Sequence, residues 1–367
     1  MELLNIDCLG KPLRLEGSMA GWQQLFWGND LVSVIPASSD YEGEKSHQFM
    51  LATEPEVEGA EPKTIQVNLT STLQWQPFLI DYQLTVNDEE ILSGSRNTKD
   101  IEQQVPVVPI EEKKSFSVLG LASLGFKLLK SAKVIKVVLA GASMAAYSWL
   151  FSFEFALMLL ACLVFHEYGH IKAMKYFGMK TKGIYLIPFV GGAAVTEDKI
   201  NTRWQDVVIA IMGPSFGLLL SIAALVAYWV TGMEIFAGVA AFNALLNLFN
   251  LLPILPLDGG HVLKSISFSM NSIVGLVMCV LGAVAGVLIS YHFGLALLGL
   301  LLLIGSLEIV FEWKLRHQSH LLPLDRYGQI FSAVWYFAIV GLFVGIIMHL
   351  ASSGSEILAL PLKILQS

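Results

Sequence analysis

The chain changes its hydrophobic rhythm near residue 130. Up to about residue 100, apolar and polar positions alternate in short runs such as "QLFWGNDLVSV", "TIQVNL" and "FLIDYQLTV". A period of two, interrupted by Gly, Asn, Asp and Pro, is the pattern of half-buried strands joined by tight turns. Gly28-Asn29 and Asn87-Asp88 suit two-residue hairpins, which need backbone conformations that Gly, Asn and Asp adopt readily. Residues 1–110 are therefore expected to form a small soluble all-β domain, a sandwich or barrel, with an acidic loop around "EPEVEGAEP".

Beyond it the alternation gives way to continuous apolar stretches. Crossing a hydrocarbon core takes about 20 helical residues, and runs of that length fall near 134–151, 154–176, 205–230, 235–256, 273–291, 294–313 and 329–350. The expectation is a polytopic α-helical membrane domain of about seven spans over 134–350, followed by a tail over 351–367. Residues 111–133 read as a linker that runs into an amphipathic stretch. Lys127, Lys130, Lys133 and Lys136 of that stretch would face anionic headgroups at the surface of a lipid bilayer. The frayed start of the first span accounts for the same pattern equally well.

Composition agrees with a partly lipid solvent. Hydrophobic residues make up 54% of the 367 and charged ones only 14%, too few to solvate a globular surface of this size. Charge is unevenly divided: residues 1–112 hold 6 Lys+Arg against 19 Asp+Glu, whereas the rest hold 17 against 11. An acidic soluble domain thus precedes a mildly basic membrane domain, and nothing points to nucleic acid. Cys8, Cys162 and Cys279 are too scattered for a disulfide framework. The N-terminus lacks the basic start and apolar core of a cleavable signal.

Positive charge between the spans gives an orientation, because cytoplasmic loops retain Lys and Arg. Lys172, Lys175, Lys180, Lys182, Lys199 and Arg203 lie between the second and third stretches, and Lys314, Arg316 and Arg326 between the sixth and seventh. The opposite turns, near 152, 232 and 292, have none. With seven spans, a cytoplasmic N-terminus and a C-terminus on the other side fit these loops, in the inner (cell) membrane if the protein is bacterial.

One apolar segment contains unexpected chemistry. "CLVFHEYGH" places His166, Glu167 and His170 within a spanning stretch, where ionisable groups cost several kcal/mol and are usually kept for function. Histidines four apart share one helix face about 6 Å apart along the axis, so both imidazoles can bind one metal ion. Glu167, one position round, can act on water beside it. This H-E-x-x-H arrangement is that of zinc peptidases. A third ligand is needed, and Asp206, Asp258, His261, Glu308 and Glu312 are the candidates at membrane depth. Glu308 and Glu312, near a helix end, can snorkel to water. Asp258 stands out in "FNLLPILPLDGGHVL", where Pro253 and Pro256 break the helix, and irregular backbone in a bilayer is tolerated only against protein or a cavity. His261 is the second choice.

With those residues in place, the sequence resembles the site-2 protease family of intramembrane metalloproteases. It has the family's H-E-x-x-H at His166, Glu167 and His170. The second signature, N-x-x-P-x-x-P-L-D-G-G, falls at Asn250, Pro253, Pro256, Leu257, Asp258, Gly259 and Gly260. Similarity extends over about 154–265. The resemblance implies Zn2+ bound by His166, His170 and Asp258, Glu167 as general base, and Asn250 and Pro253 near the substrate backbone. The substrate would be another membrane-spanning protein, cut within or next to its span. In "GIYLIPFVGGAAV", Gly191 and Gly192 suggest a re-entrant hairpin whose edge pairs with an unwound substrate; a hairpin that only packs on the third span is the plainer reading.

This sequence departs from the family at Gly217, four residues after Gly213, where many relatives have Asn. The N-terminal domain suggests a docking place for a cytoplasmic regulator. A metal transporter would also bury His and Asp, and an inactive membrane scaffold would use the β domain to recruit partners. The transporter predicts an internal repeat, which the sequence lacks, and the scaffold is at odds with a complete catalytic set.

Overall fold

The structure, a computed structural model, describes residues 1–38, 41–52, 64–104, 132–150, 152–188, 191–196, 198–293, 296–314 and 321–352. The acidic loop at 54–62, most of the amphipathic stretch with Lys127 and Lys130, and the tail from 353 lie outside them. The chain divides into two compact units. The first comprises Met1–Pro106, Ile200–Arg203 and Val310–Gly328, and the second comprises Val107–Lys199, Trp204–Ile309 and Gln329–Ser367.

In the first unit, strands β1 (Glu2–Cys8), β2 (Lys11–Gly17), β3 (Gln23–Trp27) and β4 (Asp30–Ile35) form one antiparallel meander. A second contains β5 (Gly43–Ala52), β6 (Thr64–Trp75), β7 (Phe78–Val86) and β8 (Glu89–Asn97). Alternate residues of both sheets, including Leu13, Leu15 and Leu25 from one and Leu69, Leu73, Ile80 and Leu84 from the other, close a single apolar core. Asn87 (φ +50°) and Asp88 (φ +66°) make the β7–β8 turn, and Gly28 (φ +62°) begins the β3–β4 turn. The equivalent β1–β2 turn at Leu9-Gly10, also at positive φ, has no obvious sequence signal because Leu rarely adopts that conformation.

Helix α1 (Thr98–Gln103) follows β8, with Asn97 and Asp100 forming its capping box. Two distant segments join this unit through backbone pairing. Leu322 N–H donates to Asn201 O at 2.9 Å and Arg203 N–H to Leu322 O at 2.8 Å, while Asn201 Nδ2 donates to Gln104 O at 2.9 Å. The Leu322 side chain enters the β core. Arg203, buried, pairs with Glu312, so Glu312 is held by an ion pair instead of extending to water.

The second unit is helical: α2 (Ala132–Leu150), α3 (Phe153–Tyr176), α4 (Arg203–Thr231, whose first residue belongs to the first unit), α5 (Glu234–Asn250), α6 (Asp258–Met270), α7 (Ser272–Phe293), α8 (Ala296–Lys314, whose end from Val310 belongs to the first unit) and α9 (Arg326–Ala351, whose start up to Gly328 belongs to it). Between α3 and α4, β9 (Thr181–Ile187) and β10 (Gly191–Thr196) form an antiparallel hairpin that packs along α3.

Among the described residues four helices, α3, α4, α7 and α9, are long and apolar enough to cross a membrane, and the expected seven are not confirmed. The reason is clearest at α5. The stretch 235–256 reads as one span, but Pro253 and Pro256 stop the helix at Asn250. Its 17 residues reach only about 26 Å at 1.5 Å each, short of a hydrocarbon core of roughly 30 Å. Helix α8 carries Glu308, Glu312 and Lys314 in its last two turns.

Candidate metal centre

Helix α3 is bounded by local chemistry. The Ser152 hydroxyl accepts from Phe155 N–H at 3.1 Å as the N-cap. At the other end Gly178 (φ +75°) closes a Schellman turn, with Met179 N–H donating to Met174 O at 2.9 Å and Gly178 N–H to Lys175 O at 3.0 Å. Between them Leu159, Leu163, His166, Glu167, His170 and Met174 are all buried, at the three- and four-residue spacing of one helix face.

Asp258 comes from elsewhere. After α5 the backbone runs through an irregular segment, and Asp258 opens α6. The nitrogens of His166 and His170 and a carboxylate oxygen of Asp258 all lie within 4.8 Å of one another. His166 Nε2 and His170 Nε2 are 3.0 Å apart, and they stand 3.1 Å from Asp258 Oδ2 and 3.6 Å from Asp258 Oδ1 respectively. His261, Glu308 and Glu312, also candidates for the third ligand, are not in this group.

The other ring nitrogens set the tautomers. His170 Nδ1 donates to the Ile209 carbonyl at 2.6 Å, and a carbonyl can only accept. His166 Nδ1 donates to Asn247 Oδ1 at 2.8 Å. That amide is fixed because its Nδ2 donates to Asn243 O at 2.8 Å and Asn243 Oδ1 at 3.1 Å. Asn243 in turn donates to Gly217 O at 2.6 Å and Ser221 Oγ at 2.8 Å. Both Nε2 lone pairs therefore face the carboxylate.

Two lone pairs and a carboxylate at this separation repel unless a cation lies among them. Asp258 Oδ2 is buried and makes no hydrogen bond among the described residues. Tetrahedral ligands about 2.0–2.1 Å from a zinc ion stand roughly 3.3 Å from each other, and the observed separations bracket that value. The donor set fits such an ion.

A cavity of about 350 Å³ opens beside this group, lined among others by His166, Glu167, His170, Asn250, Asp258 and His261. Glu167 is buried and lines this cavity, which puts its carboxylate beside whatever enters. Backbone closeness shapes the walls. A Cβ on Gly213 would strike both histidine rings, and one on Gly192 would lie 2.6 Å from Glu167 Oε1. Helix α4 and strand β10 can approach only because these residues have no side chain.

The other residues singled out from sequence divide. Asn250 and Gly192 line the cavity. Gly191 starts β10 next to Leu163 and is not in the lining, and Pro253 is exposed with its carbonyl against Gly282 of α7. Sequence reasoning missed Asn247 and Asn243, which sit in the apolar run "FNALLNLFN" at a four-residue spacing. Buried amides at helical spacing were the available signal. They also bear on the departure at Gly217, where a Cβ would collide with the Asn247 amide.

A model of peptidase family M50 matches residues 154–238, the segment that contains both histidines and Glu167. A Synechocystis sp. protein whose name marks it as a provisional zinc metalloprotease is 36% identical over 167 residues, covering 44% of this chain and 41% of that protein. A zinc metalloprotease of Methanocaldococcus jannaschii is 32% identical, covering 35% and 39%. Stage IV sporulation protein FB of Bacillus subtilis is 29% identical, covering 47% and 63%. The chain spans less than two thirds of the length of each of these relatives. Residues 154–238 thus match peptidase family M50, and the two motifs and these relatives support a likeness of the chain to the site-2 protease family.

Proposed function

We propose that this chain is a membrane zinc endopeptidase that hydrolyses a peptide bond within or next to the transmembrane segment of another protein, as in regulated intramembrane proteolysis. The observation that carries the reading is the convergence of His166, His170 and Asp258 on one point, with Glu167 in the same cavity. Among the described residues no second group of three ligands exists, which favours hydrolysis over the relay of sites a transporter needs.

His166, His170 and Asp258 would hold the ion, with Asn247 and the Ile209 carbonyl fixing the rings. When bound, zinc supplies Lewis-acid polarisation of the carbonyl and acidifies water. Glu167 takes a proton from the attacking water as its oxygen bonds to the carbonyl carbon. It returns that proton to the amine as the C–N bond breaks. Asn250, in the cavity wall, is placed to hydrogen-bond the substrate backbone, and the β9–β10 hairpin offers an edge to which an unwound segment can add. With the seven spans read from the sequence, Lys and Arg between them favour a cytoplasmic N-terminus, where the first unit would be accessible to a regulator.

The test is comparative membrane proteomics of cells expressing the wild type or Glu167→Gln. Spanning fragments or precursors should accumulate in the variant, while zinc content stays the same. Identical profiles, or cleavage by purified Glu167→Gln, would sink the reading.

A further inference from the structure

Two further ionisable side chains enter the same cavity. His261 follows Asp258 by three residues on α6, so the two are neighbours on one helix face, and both His261 and Asp206 line the cavity. His261 Nδ1 lies 3.3 Å from Asp206 Oδ1. The carboxylate is held at its other oxygen by Ser265 Oγ, which donates at 2.5 Å, and by Lys264 Nζ at 3.8 Å. Asp206 is buried and fixed, so it sets the direction of the imidazole.

With Nδ1 tied to a carboxylate, Nε2 projects away from it. His261 Nε2 has no partner among the described residues, and the side chain keeps 29% exposure against 10% for Asp206. Charge balance indicates what that nitrogen carries. Asp206 and Glu308 face one Lys264, whose near partner is Glu308 at 2.6 Å; its approach to His261 Nδ1 is longer, at 3.5 Å. In the shell immediately around His261, two carboxylates against one ammonium favour a proton on both ring nitrogens. His261 then presents an N–H to the cavity, supported by a buried anion.

We propose that His261 is a second catalytic side chain, whose Nε2–H donates to the carbonyl oxygen of the peptide bond under attack as that oxygen gains negative charge, with Asp206 as its positioning residue. The inference rests on the endopeptidase reading. No proton needs to move: the hydrogen bond strengthens as charge develops, which lowers the barrier without tightening substrate binding.

The test uses full-length protein in detergent, zinc-loaded, with a quenched fluorescent peptide that contains a membrane-spanning segment. His261→Ala should lower kcat about 100-fold, the effect of losing one oxyanion donor, with KM within about twofold and zinc content equal to wild type. A readout independent of turnover is affinity for an N-phosphoryl-leucyl peptide, a tetrahedral anion, which should fall by a similar factor. Asp206→Asn should lower kcat alone but add nothing in the His261→Ala background. His261→Gln, which keeps an amide donor, should recover part of the loss and serves if the alanine variant fails to fold.

Unchanged kcat, a rise in KM alone, or loss of zinc in His261→Ala would each overturn the proposal. Equal binding of the phosphoryl peptide to wild type and variant overturns it whatever the turnover. If wild type and Glu167→Gln both fail to cleave, the endopeptidase reading fails, and the phosphoryl-peptide comparison alone decides for or against His261.

Discussion

Asn247 Oδ1 accepts a hydrogen bond from His166 Nδ1 at 2.8 Å, across the interface between α5 and α3, with no exposure of the amide to solvent. A bond of this kind fixes both the tautomer and the plane of a ligand ring, and losing it typically costs 10–100-fold in metal affinity. Asn247→Leu should weaken zinc binding by about that factor, measured by competition with a chromogenic chelator. Asn247→Asp, which keeps the acceptor, should lose less. Equal affinity in Asn247→Leu would remove Asn247 from the site.

Gly217 is coupled to the same amide. Since a Cβ there would overlap the Asn247 side chain, Gly217→Ala should destabilise the α4–α5 contact by about 1–3 kcal/mol, the usual cost of overpacking. Zinc affinity should fall with it. Thermal unfolding of the apo and zinc-loaded forms measures both effects. Gly217→Asn, made alone, should be more destabilising than Gly217→Ala.

Gly192 faces Glu167, the proposed base. Gly192→Ala would drive a methyl against the Glu167 carboxylate, turning it from the water it is proposed to activate. Cleavage is expected to fall by roughly two orders of magnitude, as for a 1 Å misplacement, at unchanged zinc content. Full activity in this variant would mean that β10 can retreat from α3.

His47 reports on the first unit alone. It is fully buried, with Nε2 against Gln23 Oε1 at 3.0 Å and Nδ1 against Ser33 Oγ at 2.9 Å. Burial, aided by Lys45, holds its pKa down to about 4 from an ordinary 6.5. A group lowered on folding stabilises the fold fully above its unfolded pKa and loses that contribution as pH falls through the folded one. Acidification from pH 7 to pH 5 should thus cost the β sheets about 2 kcal/mol. Hydrogen exchange at β5 and β6 would register it, and His47→Gln should flatten the dependence.

Leu322 links a remote loop to the same core. Leu322→Ala should destabilise the two sheets by about 2–5 kcal/mol, visible as faster exchange in β1–β8, although residue 322 is more than 200 positions from them in sequence.

Local patterns carried much of this in the sequence. Alternation and Asn87-Asp88 indicated the hairpins, and His166-Glu167-x-x-His170 named one face of a helix because helical spacing is fixed by geometry. The Leu9-Gly10 turn was hidden because Leu at positive φ has no propensity signal. The seven-span count is not confirmed, and α5 shows one reason: apolar composition continues past Asn250 although the prolines end the helix. Asn247 on His166, His261 on Asp206 and Leu322 in the β core are all contacts between distant elements, and no periodicity encodes them.

Leu322 and the pairing of Asn201 and Arg203 with it have a consequence for how this protein can be cut and recombined. The first unit is not a bead at the head of the chain; it is closed by two loops that belong, in sequence, to the helical part. Removing residues 1–106 would leave Leu322 without its core and Asn201, two residues before α4, without its partner, the Gln104 carbonyl. A truncation would therefore combine loss of the sheets with damage next to the first turn of α4. The transplantable module is discontinuous, and a functional chimera has to exchange the sheets together with 200–203 and 310–328.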